Sequence, residues 1–483
     1  MSFAIRVGLG IGSDFVNPQD LLDAKAQLNS QIVSVGKRTL LKRNDAPEVW
    51  PSHLTFNLDE RVEACRMDRK KREEIDENQS LSLKEKNKQR NDLRRLEHRF
   101  IDRLHLAHQS IYGHDPVRQR FIHFWANHFT VGASGPSPFF IGHLIQDIIA
   151  KGITGSFDQL AYDVTRHPSM LTYLDNVYSV GENSRYARDS GKNKQIGLND
   201  NLARELMELH TTSPSIGYTE TDIREAAKIL SGWGDIFDNP KTIANFKKAR
   251  ITDFHMAYFK DKAEPGKKTV LGKTYKNGKD ALKALVHDLS ATENCGNFIT
   301  KKLCVHFIAD SPSKDDLNYV RAAWFDTNGH LPTVHHAVLD RAHITSQPKF
   351  QWPFTWFMTV LRTFQVNLIQ GFDDLHQELL SIGGEYRIEH ICREIGQDFW
   401  ARRQPDGFSL QSEDWISPEH LDRRVRLAAM IHDHGKPKKI DQTALVEMLK
   451  LSQSTIDLIK KAKSSRDRFI LLTCSKEFLG VAS

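Results

Sequence analysis

Cysteine is scarce and falls in no pattern. The five residues Cys65, Cys295, Cys304, Cys392 and Cys474 make an odd count with no CxxC pair. A disulfide framework and a zinc knuckle are thereby excluded, and buried or free thiols in a reducing compartment are expected. Long apolar runs are missing too: no stretch approaches the roughly 18 apolar residues that span a membrane. The opening MSFAIRVGLGIGSDF lacks a basic segment followed by an apolar core and a small-residue cleavage site. No signal peptide is expected, and cytoplasmic residence is the default, with export alongside a partner left open.

An excess of one charge is also lacking. The 67 Lys and Arg against 61 Asp and Glu leave +6 over 483 residues, too mild to point to nucleic acid. GLGIG near the start has no strand–turn–helix setting, so it is no dinucleotide or phosphate loop. There is no GxSxG and no cysteine in a recognisable nucleophile context, so no nucleophilic triad is argued.

What the chain does have is helical periodicity. Its 39% hydrophobic and 27% charged residues are the composition of a globular chain rather than a disordered one. The expected fold is mainly α, one large multi-helical body over 1–483. Within it, 56–109 reads as a charged helical projection, because RMDRKKREEIDENQSLSLKEKNKQRNDLRRLEHRF mixes both signs along a helical run. Residues 250–275 read as a small β-hairpin insert, from DFHMAYF and KKTVLGKTY. Helices are expected over most of 280–473, including 372–381 and 442–449. VGENSRYARDSGKNKQIG (180–197) reads as a polar loop long enough to be a lid or a functional loop. In GYTETDIREAAKILSGW (217–233), Thr219 and Asp222 have the spacing of a capping box.

Four segments follow one another in order: FWANHF (124–129), HPSMLTYLDN (167–176), LNDNLARELMELHT (198–211) and GYTETDIREAAKILSGW (217–233). GKKTVLG (266–272), FITKKLCVHFIAD (298–310), IGQDFW (395–400), DWISPEHL (414–421) and FILLTCSKEFL (469–479) continue the series. Together they resemble the bacterial domain-of-unknown-function 1800 family over nearly the whole chain. The resemblance implies a helical fold, no particular reaction, and a sulfatase-like protein as partner. Two features depart from the family pattern. Asp200 and Leu202 stand where the family has Glu and Tyr, and the segment before GKKT lacks the usual histidine.

The polar residues of these motifs define a candidate site. At about 100° per residue, 199–210 separates into a stripe of Leu202, Leu206 and Leu209 and a face of Asn201, Glu205 and Glu208, with Arg204 beside it and His210 to one side. Carboxylates buried between helices require a cation, an arginine or a metal. The expected catalytic set is Arg204, Glu205, Glu208 and His128. The carboxylates act as general base or hold a cation, Arg204 orients them or an anionic substrate, and His128 moves a proton. The expected metal set is Glu205, Glu208, His210 and Glu225 around a divalent ion, in a hydrolytic or oxidative enzyme. His167 reads as a cap for the helix at Pro168, and Asp175 as a salt-bridge partner of Arg204. The rival reading is a non-enzymatic binding or maturation partner of a sulfatase-like protein, in which the same polar residues only fix helix packing.

Overall fold

Capping residues write the helix starts into the sequence. Asn57 and Glu60 form a reciprocal capping box, as do Thr219 with Asp222 and Ser313 with Asp316; each satisfies two otherwise orphaned backbone donors. The computed structural model describes residues 3–10, 21–29, 39–41, 47–49, 54–95, 98–133, 135, 137–190, 197–234, 258–364, 366, 388–435, 437, 446 and 449–481. The first helices are α1 (Phe3–Val7), α2 (Leu21–Asn29), α3 (Leu58–Glu77), α4 (Leu83–Arg95), α5 (His98–Tyr112) and α6 (Pro116–His128). Then α7 (Ile141–His143) and α8 (Ala150–Gly152) flank a π-helical turn, Leu144–Ile149. The middle of the chain holds α9 (Phe157–Thr165), α10 (Pro168–Tyr173), α11 (Arg185–Asp189), α12 (Asn201–Glu205) and α13 (Glu220–Leu230). After it come α14 (Asp280–Ser290), α15 (Glu293–Phe307), α16 (Lys314–Asp326), α17 (Leu331–Ile344), α18 (Pro353–Thr363), α19 (Ile388–Glu394) and α20 (Pro418–Gly435). Three short helices, Gln453–Lys461, Ser465–Thr473 and Lys476–Leu479, close the described chain.

The protein is therefore mainly α. Its only β structure among the described residues, isolated bridges aside, is two antiparallel pairs: β1 (Thr39–Leu41) with β2 (Pro47–Val49), and β3 (Lys268–Val270) with β4 (Lys273–Tyr275). Leu271 and Gly272 join β3 to β4, both at positive φ (49° and 77°), as a two-residue turn between right-twisted strands requires. Of the expected hairpin at 250–275, the described part is the β3–β4 pair within KKTVLGKTY. Most of DFHMAYF lies outside the described residues; Tyr258 forms an isolated bridge to Trp233. The helix expected at 372–381 also lies outside them, as does most of that at 442–449. Part of the expected loop at 180–197 is helical instead, since the Ser184 hydroxyl caps α11.

The charged stretch 56–109 does not form one helical unit. Helices α3 and α4 form an antiparallel pair about a turn at Asn78–Ser82, clasped by Arg90 Nε on Asp76 Oδ1 at 2.8 Å. Helix α5 belongs to the core instead, with Leu104, Leu106, Ala107 and Ile111 buried. The arm is rooted by Val62 and Cys65 against Phe139 and Phe140. Beside them, Arg61 grips Asp102 through two bonds of 2.7 and 2.8 Å and also donates to Phe139 O at 2.8 Å. Gly142 packs directly on this carboxylate: a Cβ there would lie 2.0 Å from Asp102 Cγ.

One apolar core runs from Ile5 to Leu479. Buried guanidiniums tie its layers together by donating to backbone carbonyls. Arg362 meets Ile111 O and Gly113 O at 2.9 Å each, at the end of α5. Arg424 donates to Gln351 O at 2.7 Å and lies 4.3 Å from the Phe350 ring centroid. All five cysteines are free thiols, four of them buried, and burial holds Cys295, Cys304, Cys392 and Cys474 protonated. No described helix is long and apolar enough to cross a membrane.

Candidate functional site

The stretch 198–211 does not run as one α-helix. Helix α12 gives way to a π-helical turn over Leu206–Thr211. Thr212 N and Thr212 Oγ1 both reach Met207 O, at 3.1 and 2.8 Å, and Thr211 Oγ1 reaches Leu206 O at 2.5 Å. These bonds five residues apart hold the widened turn. The wider turn changes the face each residue presents. Met207 and His210 are buried with Leu202, Ala203 and Leu206, whereas Leu209, expected in the leucine stripe, is only half-buried. The reason is rotation: a π turn advances each residue by less than the 100° assumed for an α-helix.

Pro214 ends the element. An α-helix would satisfy His210 O with the N–H four residues on, and proline has none. Ser213, at φ 62°, turns the chain away. The freed carbonyl accepts from His128 Nε2 instead, at 3.1 Å. A carbonyl can only accept, so His128 carries its proton on Nε2 and its Nδ1 is a lone pair. That lone pair faces Lys302 Nζ at 3.1 Å. The result is a directed chain: the Lys302 ammonium donates to His128, and His128 donates to the His210 backbone.

The surroundings of the chain are aromatic. His128 lies 4.5 Å from Phe129, 5.3 Å from Trp125 and 6.4 Å from Phe124, Phe298 and His210, centroid to centroid. Lys302 Nζ sits 5.2 Å from the Phe298 ring. Burial pushes His210 down to about 3 and His128 well below the ordinary histidine range, with Lys302 adding to both. Burial also pushes Lys302 down to about 8, opposed by Asp406. Lys302 is half-buried and has no carboxylate within ion-pair distance among the described residues. Both ring nitrogens of His210 are buried without a hydrogen-bond partner.

Glu205 lies within the field of Asp406. It is half-buried, with no hydrogen bond or ion pair among the described residues. Partial burial, then Glu208 and Asp406, push its carboxyl upward. Asp406 comes from the loop after IGQDFW, where Arg402 holds it at 2.9 Å. Asn127 clamps this loop to the end of α6 by pairing with both backbone groups of Phe408, at 2.9 and 2.7 Å. Gly407, at φ 75°, approaches so closely that a Cβ would meet Asn127 O at 2.4 Å. Tyr173 of α10 reaches the loop through Arg402 O at 3.4 Å.

The expected site residues part company. His128 and His210 belong to this chain of bonds, and Glu205 shares only the field of Asp406 with Lys302. Arg204 does not: it binds Glu220 through bonds of 3.1 and 2.7 Å and reaches Glu208 at 3.4 Å, in an exposed knot between α12 and α13. Glu208 also accepts from the Tyr218 hydroxyl. Asp175 is exposed and at φ 57°, so the expected bridge to Arg204 is not made. Glu225 faces the β3 hairpin, taking Lys228 at 2.5 Å and Thr269 N at 3.0 Å. His167 does cap α10, accepting from Ser169 N, and also pairs with His143 at 3.0 Å. Among the described residues no three His, Cys, Asp or Glu side chains converge to hold an ion. Glu205, Glu208, His210 and Glu225 thus do not form one ligand set.

Sequence reasoning missed Lys302, Tyr173 and Asp406. Lys302 had a signal: with Cys295, Ile299, Leu303 and His306 it sits on the buried stripe of α15, where a lysine is out of place.

A family model described as "protein of unknown function (DUF1800)" matches residues 6–479, and the chain belongs to that family. No curated protein and no solved structure matches it.

Proposed function

We propose that this member of the family is an enzyme whose pocket between α6, the π turn and α15 performs proton transfer. Lys302 is the base and His128 orients the amine, with Glu205 adding negative field beside Asp406. The supporting observation is that a buried, bare imidazole sits beside a half-buried lysine that meets no carboxylate among the described residues. His210 leaves two ring nitrogens bare, Glu205 has no partner, and Lys302 has only an imidazole lone pair. A bare buried group costs about 1–3 kcal/mol. Working sites tolerate that cost. No step is routed through a metal, since the donors do not converge.

The sign of two stability changes tests this reading. His210→Phe fills an aromatic niche without the bare nitrogens, and Glu205→Gln removes a half-buried charge. Each is expected to raise the unfolding free energy by about 1 kcal/mol, measured by chemical denaturation. If both variants instead lose stability, the cluster is a packing network. The rival reading, a binding or maturation partner of a sulfatase-like protein, then stands.

A further inference from the structure

The last turn of α20 and the first turn of the helix Ser465–Thr473 bring three side chains into line. His432 Nδ1 lies 3.1 Å from Asp433 Oδ1, and His432 Nε2 lies 3.2 Å from Ser465 Oγ. A carboxylate can only accept, so the imidazole proton sits on Nδ1 and the Nε2 lone pair receives the Ser465 hydroxyl. Arg466 Nε holds the same carboxylate at 3.2 and 3.0 Å. The Phe469 ring, 5.8 Å away, backs the half-buried imidazole. Ser465 is exposed, so a substrate reaches its oxygen without any opening in the fold. The N–H groups of Ser465 and Arg466 fall in the first helical turn, which offers them no carbonyl, while Ser464 Oγ takes that of Asp467. They remain available to a developing oxyanion. The other serine–imidazole pairs, Ser110–His123 and Ser417–His420, have no carboxylate on the second ring nitrogen among the described residues.

We infer that Ser465, His432 and Asp433 form a second site, which hydrolyses carboxylic esters that carry a negative charge. The charge preference follows from Lys460, Lys461, Lys463 and Arg468, all exposed around Ser465 in the sequence. None of the three site residues takes part in the contacts of Lys302. Ser465 Oγ adds to the ester carbonyl carbon as its proton passes to His432 Nε2. The carbon–oxygen bond to the alcohol then breaks, and that oxygen leaves with the Nε2 proton. Water next attacks the acylated serine and gives a proton to Nε2, and the serine oxygen departs with it. Ester and water thus become acid and alcohol, with no oxidant or reductant consumed. Asp433 is the positioning residue, since it fixes the Nδ1–H tautomer that leaves Nε2 free to act as base.

The full-length chain is mixed with para-nitrophenyl acetate or its ring-carboxylated analogue, and nitrophenol release is followed. The expected result is repeated turnover, faster on the carboxylated ester, with an acid quench leaving the acetyl group on Ser465 by peptide mass mapping. Ser465→Ala and His432→Gln should each slow turnover by at least about tenfold. Asp433→Asn should lower kcat with KM unchanged, and Asp433→Glu should recover part of the loss. Ser465→Cys, close to serine in size, should still take up the acetyl group as a thioester, which separates lost chemistry from lost fold. Acetyl groups found only on lysines, without turnover, overturn the inference. So does turnover that survives in Ser465→Ala, or a preference for the neutral ester.

Discussion

The molecule buries polar groups in two contrasting ways. At the root of the arm, Arg61 and Asp102 are both almost fully enclosed, yet the bidentate pair and Phe139 O use their bonding capacity. Beside α15, His210 is enclosed with both ring nitrogens bare, and Lys302 is half-enclosed against an imidazole. Burial is common to both, so burial does not separate scaffold from site. Satisfaction does. A paired charge in low dielectric holds two helices in register. A bare one raises the energy of the folded state and is retained where chemistry uses it.

The largest effect is expected where this contrast is broken on the satisfied side. Asp102→Ala leaves the Arg61 guanidinium buried without its counterion and should cost about 3–5 kcal/mol. The denaturant midpoint reads the loss, and amide exchange along the first turns of α3 should quicken with it. A cost below about 1 kcal/mol would mean that water reaches the pair, and the comparison would fail at its first term.

The two regions were unequally legible in the sequence. The helical class, the capping box at Thr219, the His167 cap and the α3–α4 helices could be read because they depend on local spacing. The arm's extent could not: α5 carries charge as α4 does, but Asp102 and Arg103 find partners in Arg61 and Asp398, which only the tertiary fold supplies. In the pocket, His128, Glu205 and His210 were visible as residue types. Their geometry was not, because an α-helical wheel has the wrong angle for a π turn. Pro214 was the available clue, four residues after the carbonyl it leaves bare. Arg204 misled for the opposite reason. Its place beside two glutamates suggested a site, whereas Glu220, sixteen residues along, takes it to the surface.

A smaller effect sharpens the unsatisfied side. Burial pushes the folded-state value of Lys302 down to about 8 from an ordinary 10.5. Between those limits the unfolded chain still holds a proton that the folded chain has lost. Stability therefore rises with pH across that window, and the penalty is fully present below it. Subtracting the pH–stability curve of Lys302→Met from that of the wild type isolates the contribution. It should amount to on the order of 1 kcal/mol after allowance for solvent reaching a half-buried amine. A flat difference curve between pH 8 and 10.5 would show that the amine is as well solvated as a surface lysine, and the pocket would then supply no base.

The smallest effect belongs to the residue that sequence spacing made most prominent. Arg204 joins Glu220, Glu208 and Asp200, yet its side chain is 32% exposed and that of Glu220 is 77% exposed. Exposed ion pairs recover little, because water already solvates both charges and fixing two long side chains costs entropy. Arg204→Ala should therefore change the unfolding free energy by no more than about 0.5–1 kcal/mol, a difference that shrinks further in 1 M salt as screening shortens to about 3 Å. It should also leave the pH dependence carried by Lys302 unaltered, since its partners lie on the α12–α13 knot. A loss comparable to that of Asp102→Ala would place Arg204 among the satisfied, structure-bearing charges, and exposure would then be a poor guide to which polar groups hold this fold.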